Sequence, residues 1–266
     1  MSSSKNRYVT LIENIFAKYY QEGAREIAFR REDIVEMAAY LGIVLPKNLG
    51  DAIYSFRYRT SLPKAITEKA LDGYEWIIRA AGRAQYKFVL TKEANFAPNP
   101  NLAKTKILDA TPGIVSRYSF DDEQALLARI RYNWLLDIFT GVTCYSLQNH
   151  LRTTVLNVGQ VETDEIYVGL DKQGVHYIFP IQAKGGTDRI GAVQIEQDFA
   201  VCAEKFPSAV GRPIAAQFMD DKTIVLFEFV LTEEGVRIAD ERHYRLVFSE
   251  DLSDEEIKEY QRRSAF

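Results

Sequence analysis

Asp164 stands near the start of one β-rich run, VETDEIYVGL, and Gln182 and Lys184 stand near the end of the next, VHYIFPIQAK. A carboxylate, an amide oxygen and an ammonium suit one chemistry. The oxygens can hold a hard divalent cation, and the ammonium can act on an attacking water and a phosphate. Side-chain parity brings them together. In the first run Glu162, Asp164, Ile166 and Val168 share a face; in the second His176, Ile178, Pro180, Gln182 and Lys184 do. Pairing the runs as a hairpin with Asp164 opposite Gln182 sets Ile166 against Pro180, Val168 against Ile178 and Glu162 against Lys184. Apolar then meets apolar, and polar meets polar. Glu165 faces the other way. The remaining face of the second run, Val175, Tyr177, Phe179, Ile181 and Ala183, is apolar throughout and must be buried, so a lysine on this strand calls for a role. The plain alternative is a Glu162 to Lys184 ion pair at a sheet edge, worth under about 1 kcal/mol.

Other elements must hold this hairpin in place. Residues 193–206 read as a helix with Ile195, Phe199, Cys202 and Phe206 inward, PIAAQFM as a buried strand reached by that crossover, and KTIVLFEFVL as a further strand. Ahead of the hairpin, a helix from about Ser119 to Phe139 carries Leu127, Ile130, Trp134 and Ile138 as its apolar stripe, with Glu123 on the same side. That acid is either a helix-dipole partner or a group aimed into a site beneath the helix. YSLQNHLRTTV reads as a polar helical or turn segment with His150 at the surface, and EDLSDEEIKEYQRR as a solvated C-terminal helix. GGTDRIG lacks the ending of a P-loop.

The front of the chain is organised differently. Helical patterns at residues 9–19, 32–41 and 47–59 precede two β-rich runs, YEWIIR and QYKFVL, joined by AAGRA. Residues 93–118, with Pro98, Pro100, Pro112 and Gly113, show no sustained period and read as a connection, which divides the chain into 1–92, 93–118 and 119–266. Helix, turn, helix and hairpin resemble a winged helix. That resemblance implies double-stranded DNA as partner, with Asn48, Ser55, Arg57 and Arg59 on the second helix and Arg83 at the hairpin tip as contacts; docking on a protein is the other use of such a domain.

Composition sets the outer bounds. The chain has 266 residues, 47% hydrophobic and 26% charged, ordinary values for a globular protein. Residues 1–90 hold 14 Lys and Arg against 10 Asp and Glu, and the remainder 19 against 27, a basic front and an acidic back. No apolar run approaches the roughly 20 residues that span a bilayer, and the start, MSSSKNRYVT, has no leader-like segment, so no membrane contact and a cytoplasmic location are expected. Two cysteines and three histidines make a disulfide framework or a thiol or imidazole metal site a poor expectation.

An acid on one hairpin arm and Gln-x-Lys on the other, followed by a helix and a strand, resemble the PD-(D/E)XK nuclease superfamily, in the QxK variant of Mrr-like restriction endonucleases. The resemblance covers roughly residues 119–230. It implies an α/β fold, a restriction-endonuclease-like mixed sheet flanked by helices, preceded by the mostly helical winged-helix-like domain. Asp164, Gln182 and the Ala183 carbonyl would hold Mg²⁺, for which Mn²⁺ would substitute, and Lys184 would act on the water. Glu162 or Glu123 would restore the charge that Gln182 lacks. Thr163 stands where the family has proline, and Gln182 where it usually has Glu or Asp; a Gln182→Glu change is therefore expected to keep metal-dependent activity or to alter metal preference. The implied function is that of a Mg²⁺-dependent, homodimeric restriction endonuclease. A non-catalytic DNA-binding regulator with a degenerate site and a junction-resolving or repair nuclease are the alternatives.

Overall fold

In the computed structural model, residues 2–47, 49–58, 60–120, 123–186 and 188–263 are described. The N-terminal unit runs α1 (Ser2–Tyr19), β1 (Glu26–Arg30), α2 (Arg31–Tyr40), α3 (Gly50–Tyr58), α4 (Lys64–Thr67), β2 (Glu75–Ala80) and β3 (Gln85–Thr91). Apolar residues at helical spacing on α1, Leu11, Ile12, Ile15 and Phe16, are almost fully buried against Phe29, Trp76 and Phe88. This apolar stripe, more than helix propensity, stabilises α1. Strand β1 was not visible as a strand in the sequence, yet EIAFR alternates cleanly with Ile27 and Phe29 inward. It pairs with β3, which also forms the expected hairpin with β2, giving the order β1-β3-β2.

Residues 93–118 connect the two units but are more ordered than their composition suggests. They contain β4 (Asn95–Phe96), β5 (Lys104–Leu108) and α5 (Gly113–Tyr118). β5 pairs in parallel with a strand near the C-terminus, an association too distant in sequence to leave a local pattern. The expected long helix is two: α6 (Glu123–Tyr132) and α7 (Leu135–Thr140). Asn133 breaks it. Its side chain accepts the Ala110 N–H at 2.7 Å and donates to Thr111 Oγ1 and the Arg129 carbonyl, and Trp134 follows in a left-handed conformation. Leu127 and Ile130 are buried as expected, while Trp134 and Ile138, past the break, are exposed.

Then come β6 (Thr143–Val155), β7 (Gly159–Leu170), β8 (His176–Gly185), β9 (Ile190–Gly191), α8 (Ala192–Lys205), β10 (Val210–Gly211), β11 (Ile214–Phe218), β12 (Thr223–Thr232), β13 (Gly235–Val247) and the solvated α9 (Asp254–Arg263). Among the described residues the large sheet has the order β5-β13-β12-β11-β8-β7-β6, with β10 also on β8. YSLQNHLRTTV is therefore the edge strand β6, not a helix or turn; being solvated along residues 145–150, it lacks the apolar alternation that marks a strand. β8 lies between antiparallel β7 and parallel β11, the latter reached through α8. Helices α6 and α7 cover one face of the sheet and α8 the other, which explains why β8 is apolar on both sides. No described helix is long and apolar enough to cross a membrane.

The units meet along α8. Arg79 of β2 grips Glu196 through two hydrogen bonds, Gln197 donates to the Tyr58 hydroxyl at 2.7 Å, β4 pairs with β9, and Val193 packs among Ile77, Val89 and Ala94.

Candidate functional site

β7 and β8 pair in the register read from the sequence, Ile166 opposite Pro180 and Val168 opposite Ile178, but the ladder ends at Glu165 opposite Ile181. Beyond that point the strands part. Asp164 reaches across the gap, its Oδ2 accepting the Ala183 backbone N–H at 2.8 Å. The alternation of β7 slips at the same place: Val161 and Thr163 lie on the α8 side, and so do Ile166 and Val168. On β6 the residue at this level, His150, adopts a left-handed φ of 48° between the Asn149–Glu165 and Leu151–Thr163 pairs. Such irregularities re-aim side chains at sheet edges and beside functional sites.

Three of the expected site residues gather here. Lys184, with 17% of its side chain exposed, holds Nζ 3.5 Å from Oε1 of Glu123, the first residue of α6. Burial pushes the Glu123 carboxyl above its ordinary value; the Lys184 ammonium opposes this, and the negative charges of Asp164 and Asp188 add to it. The loop after the lysine is fixed by buried Gln217 of β11, whose Nε2 donates to the Gly186 and Asp188 carbonyls at 2.8 and 3.0 Å. Glu162 does not join them. The slip at Asp164 turns it to Arg152 on β6, 2.9 Å away at the surface, so the expected Glu162–Lys184 pairing is absent and Glu123 takes its place. Glu165 faces α6 from a fully buried position, bound by Arg131 and, at 2.7 Å, by the Ser146 hydroxyl.

Gln182 is 2% exposed and Ala183 fully buried. Gln182 donates from Nε2 to Asp198 Oδ2 at 3.0 Å and to the Glu162 carbonyl at 3.3 Å, while the Thr163 hydroxyl donates to Asp198 Oδ1 at 2.6 Å. Asp198 was missed in the sequence although its signal was there. It falls on the stripe Ile195, Asp198, Cys202, at i, i+3 and i+7 on an otherwise apolar helix face. Burial pushes its carboxyl up to about 7, opposed by the bonds from Thr163 and Gln182 and reinforced by the charge of Asp164.

That shift has a thermodynamic sign. An acid whose folded value is raised contributes stability that is complete below its unfolded value and is lost as pH rises through the folded one. In EDTA, stability of the parent protein is expected to fall between pH of about 4 and about 7 by up to a few kcal/mol. Urea midpoints at about pH 5 and about pH 8 should show this, and Asp198→Asn should shrink the difference. An equal difference in the two proteins would contradict the assignment.

Between the units lies a cleft of about 1370 Å³, bordered by Tyr54, Arg57, Trp76, Glu123, Lys184 and Arg189 among others. Arg57 is thus at the seam, its guanidinium 4.8 Å from the Tyr58 ring centre, rather than on an open helix face. Ser55 spends its hydroxyl on Thr60, 2.8 Å away. Arg83 is exposed at the β2–β3 turn, and Asn48 and Arg59 lie outside the described residues.

Among the described residues no three His, Cys, Asp or Glu side chains converge as a metal cage. The carboxylates of Asp164 and Glu123 lie close enough for the charge of one to act on the other, and their oxygens are hard donors. They fit Mg²⁺, which takes one or two protein carboxylates and keeps several waters, and do not fit a closed zinc site. Compared with protein-family models, with curated proteins and with solved structures, the chain gives no significant match.

Proposed function

We propose that this protein is a Mg²⁺-dependent endonuclease acting on double-stranded DNA, with the fold of a restriction endonuclease joined to a winged helix. The observation that carries the reading is the meeting of Asp164, Glu123 and Lys184 where β7 and β8 part, at the border of a cleft shared with a basic unit. The N-terminal order of helices and strands, with its sheet β1-β3-β2, supports the winged-helix part.

Asp164, Gln182 and Glu123 would hold the cation. When bound, Mg²⁺ polarises the phosphate and offsets charge on the leaving oxygen. Lys184, held by Glu123, orients the attacking water, whose proton passes to solvent, and offsets charge on the phosphate, while Arg57 and Arg189 attract the backbone phosphates. Cutting both strands of a duplex calls for two such sites, hence a homodimer. Defence against foreign DNA is the setting that the resemblance implies.

One observation favours a second reading, a DNA-binding protein with a degenerate site: Gln182, which precedes the Ala183 N–H that Asp164 accepts, is neutral and tied to a buried aspartate. Plasmid DNA, methylated and unmethylated, separates the two. Nicking or linearisation in Mg²⁺ or Mn²⁺, and none in EDTA or Ca²⁺ alone, is expected of the nuclease. DNA binding without cleavage in any metal would establish the second reading, and cleavage persisting in EDTA would refute the metal mechanism.

A further inference from the structure

Gln182 is a primary amide, and its two ends are chemically opposite: Nε2 donates and Oε1 accepts. Only the oxygen can bind a cation, so the side chain serves a metal in one orientation and obstructs it in the other. Two acceptors meet its nitrogen end: Asp198 Oδ2 at 3.0 Å and the Glu162 carbonyl at 3.3 Å. Both protons of Nε2 are therefore engaged, and a flip would set Oε1 against two oxygens. Asp198 is itself held from the other side by Thr163 and is 0% exposed, closed to bulk solvent. Its helix position is fixed by the packing of Ile195 and Cys202 on either side.

We propose that Asp198, steadied by Thr163, is a positioning residue that fixes the Gln182 amide with its nitrogen inward and its oxygen committed to the cation beside Asp164. The proposal rests on the nuclease reading and deepens it: the neutral glutamine is a ligand whose orientation is enforced by a buried acid, not a degenerate remnant. Oδ2 can accept from Nε2 whether or not Oδ1 carries a proton, so the device does not depend on the ionisation of Asp198.

The arrangement also reverses an expectation drawn from the sequence. Gln182→Glu would set an oxygen where Nε2 stands, against the Glu162 carbonyl as well as the Asp198 carboxyl, and the superfamily's commoner residue should here be the worse one. Asp198→Asn on its own keeps an acceptor for Gln182, because the new amide can turn its nitrogen to Thr163. In the double variant Gln182→Glu with Asp198→Asn, the asparagine nitrogen meets one carboxylate oxygen and leaves the other for the cation.

Mn²⁺ affinity by calorimetry and thermal midpoints in EDTA test this on the full chain. Loss of a group that orients a metal ligand typically weakens binding about 10- to 100-fold. Asp198→Ala and Gln182→Glu should each fall in that range, Asp198→Asn should stay within a few-fold of the parent, and the double variant should recover most of what Gln182→Glu loses. The thermal midpoints in EDTA should show the same reversal, the second change rescuing the first. Should Asp198→Ala fail to fold, the near-isosteric single and double variants at 182 decide alone. Mn²⁺ binding by the parent with no rescue in the double variant overturns the proposal and leaves the nuclease reading standing. No Mn²⁺ binding by the parent overturns both.

Discussion

Lys184→Ala is expected to lower metal-dependent DNA cleavage by about 10²- to 10³-fold, the range that one preorganised donor to developing charge contributes, while leaving DNA binding and the thermal midpoint close to those of the parent. The ammonium sits on the penultimate residue of β8, 17% exposed and 3.5 Å from Glu123, so its removal empties a polar position at the site's edge without opening the apolar core. Asp164→Ala should be at least as damaging to cleavage, since it removes the carboxylate nearest the parted strands, and it should bind DNA no worse, having lost a negative charge near phosphate. Lys184→Arg is not a conservative control here: a planar guanidinium cannot reproduce the contacts of a compact ammonium with Glu123 and a water at this position. Single-turnover cleavage of a labelled duplex, with binding measured in Ca²⁺, separates chemistry from affinity. A fully active Lys184→Ala would mean that the lysine serves only as the partner of Glu123.

The hairpin that carries this site was legible in the sequence because its information is local. Alternation and an apolar strand face sufficed to place Ile166 against Pro180 and Val168 against Ile178, and the inward stripe of α8 and the crossover to β11 followed from spacing. Strict alternation then misled at its far end. It assigned Glu162 to Lys184, whereas the slip at Asp164 and the left-handed His150 send Glu162 to Arg152 and leave the lysine to Glu123. No periodic rule announces a single irregular residue. Elements defined by distant partners were equally hidden. β5 exists because β13 offers it an edge, and β6 because β7 does, while their own residues are too polar or too solvated to show it. Asp198 is the opposite case, a residue whose place on an apolar stripe was visible and whose partners, Thr163 and Gln182, became visible only once the chain was folded.

The ion pair of Arg131 and Glu165 ties the two elements that supply the site's acids, and it predicts an asymmetric pair of variants. Glu165 neighbours Asp164 on β7; Arg131 lies about two turns along α6 from Glu123, roughly 12 Å at 1.5 Å per residue. The carboxylate is 0% exposed and the guanidinium 41% exposed. Arg131→Met therefore strands a buried charge, which costs about 3–5 kcal/mol, and solvent on the arginine side places the expected loss near 3. Glu165→Gln leaves Arg131 free to turn toward water and keeps an oxygen for the Ser146 hydroxyl, so it should cost only about 1–2 kcal/mol, the range for a weakened hydrogen bond. The double variant removes both charges and should be more stable than Arg131→Met alone. Urea unfolding of the three proteins at neutral pH measures this, with total stability of about 5–15 kcal/mol leaving room for each loss to be read. Because the pair clamps α6 to β7, Arg131→Met should also lower Mn²⁺ affinity by letting Glu123 drift from Asp164, an effect that the double variant, lacking the clamp as well, should not repair. An Arg131→Met protein as stable as Glu165→Gln would show that the ion pair does not hold α6 to β7, and the clamp would then have to be sought in the packing of Leu127 and Ile130 on the sheet.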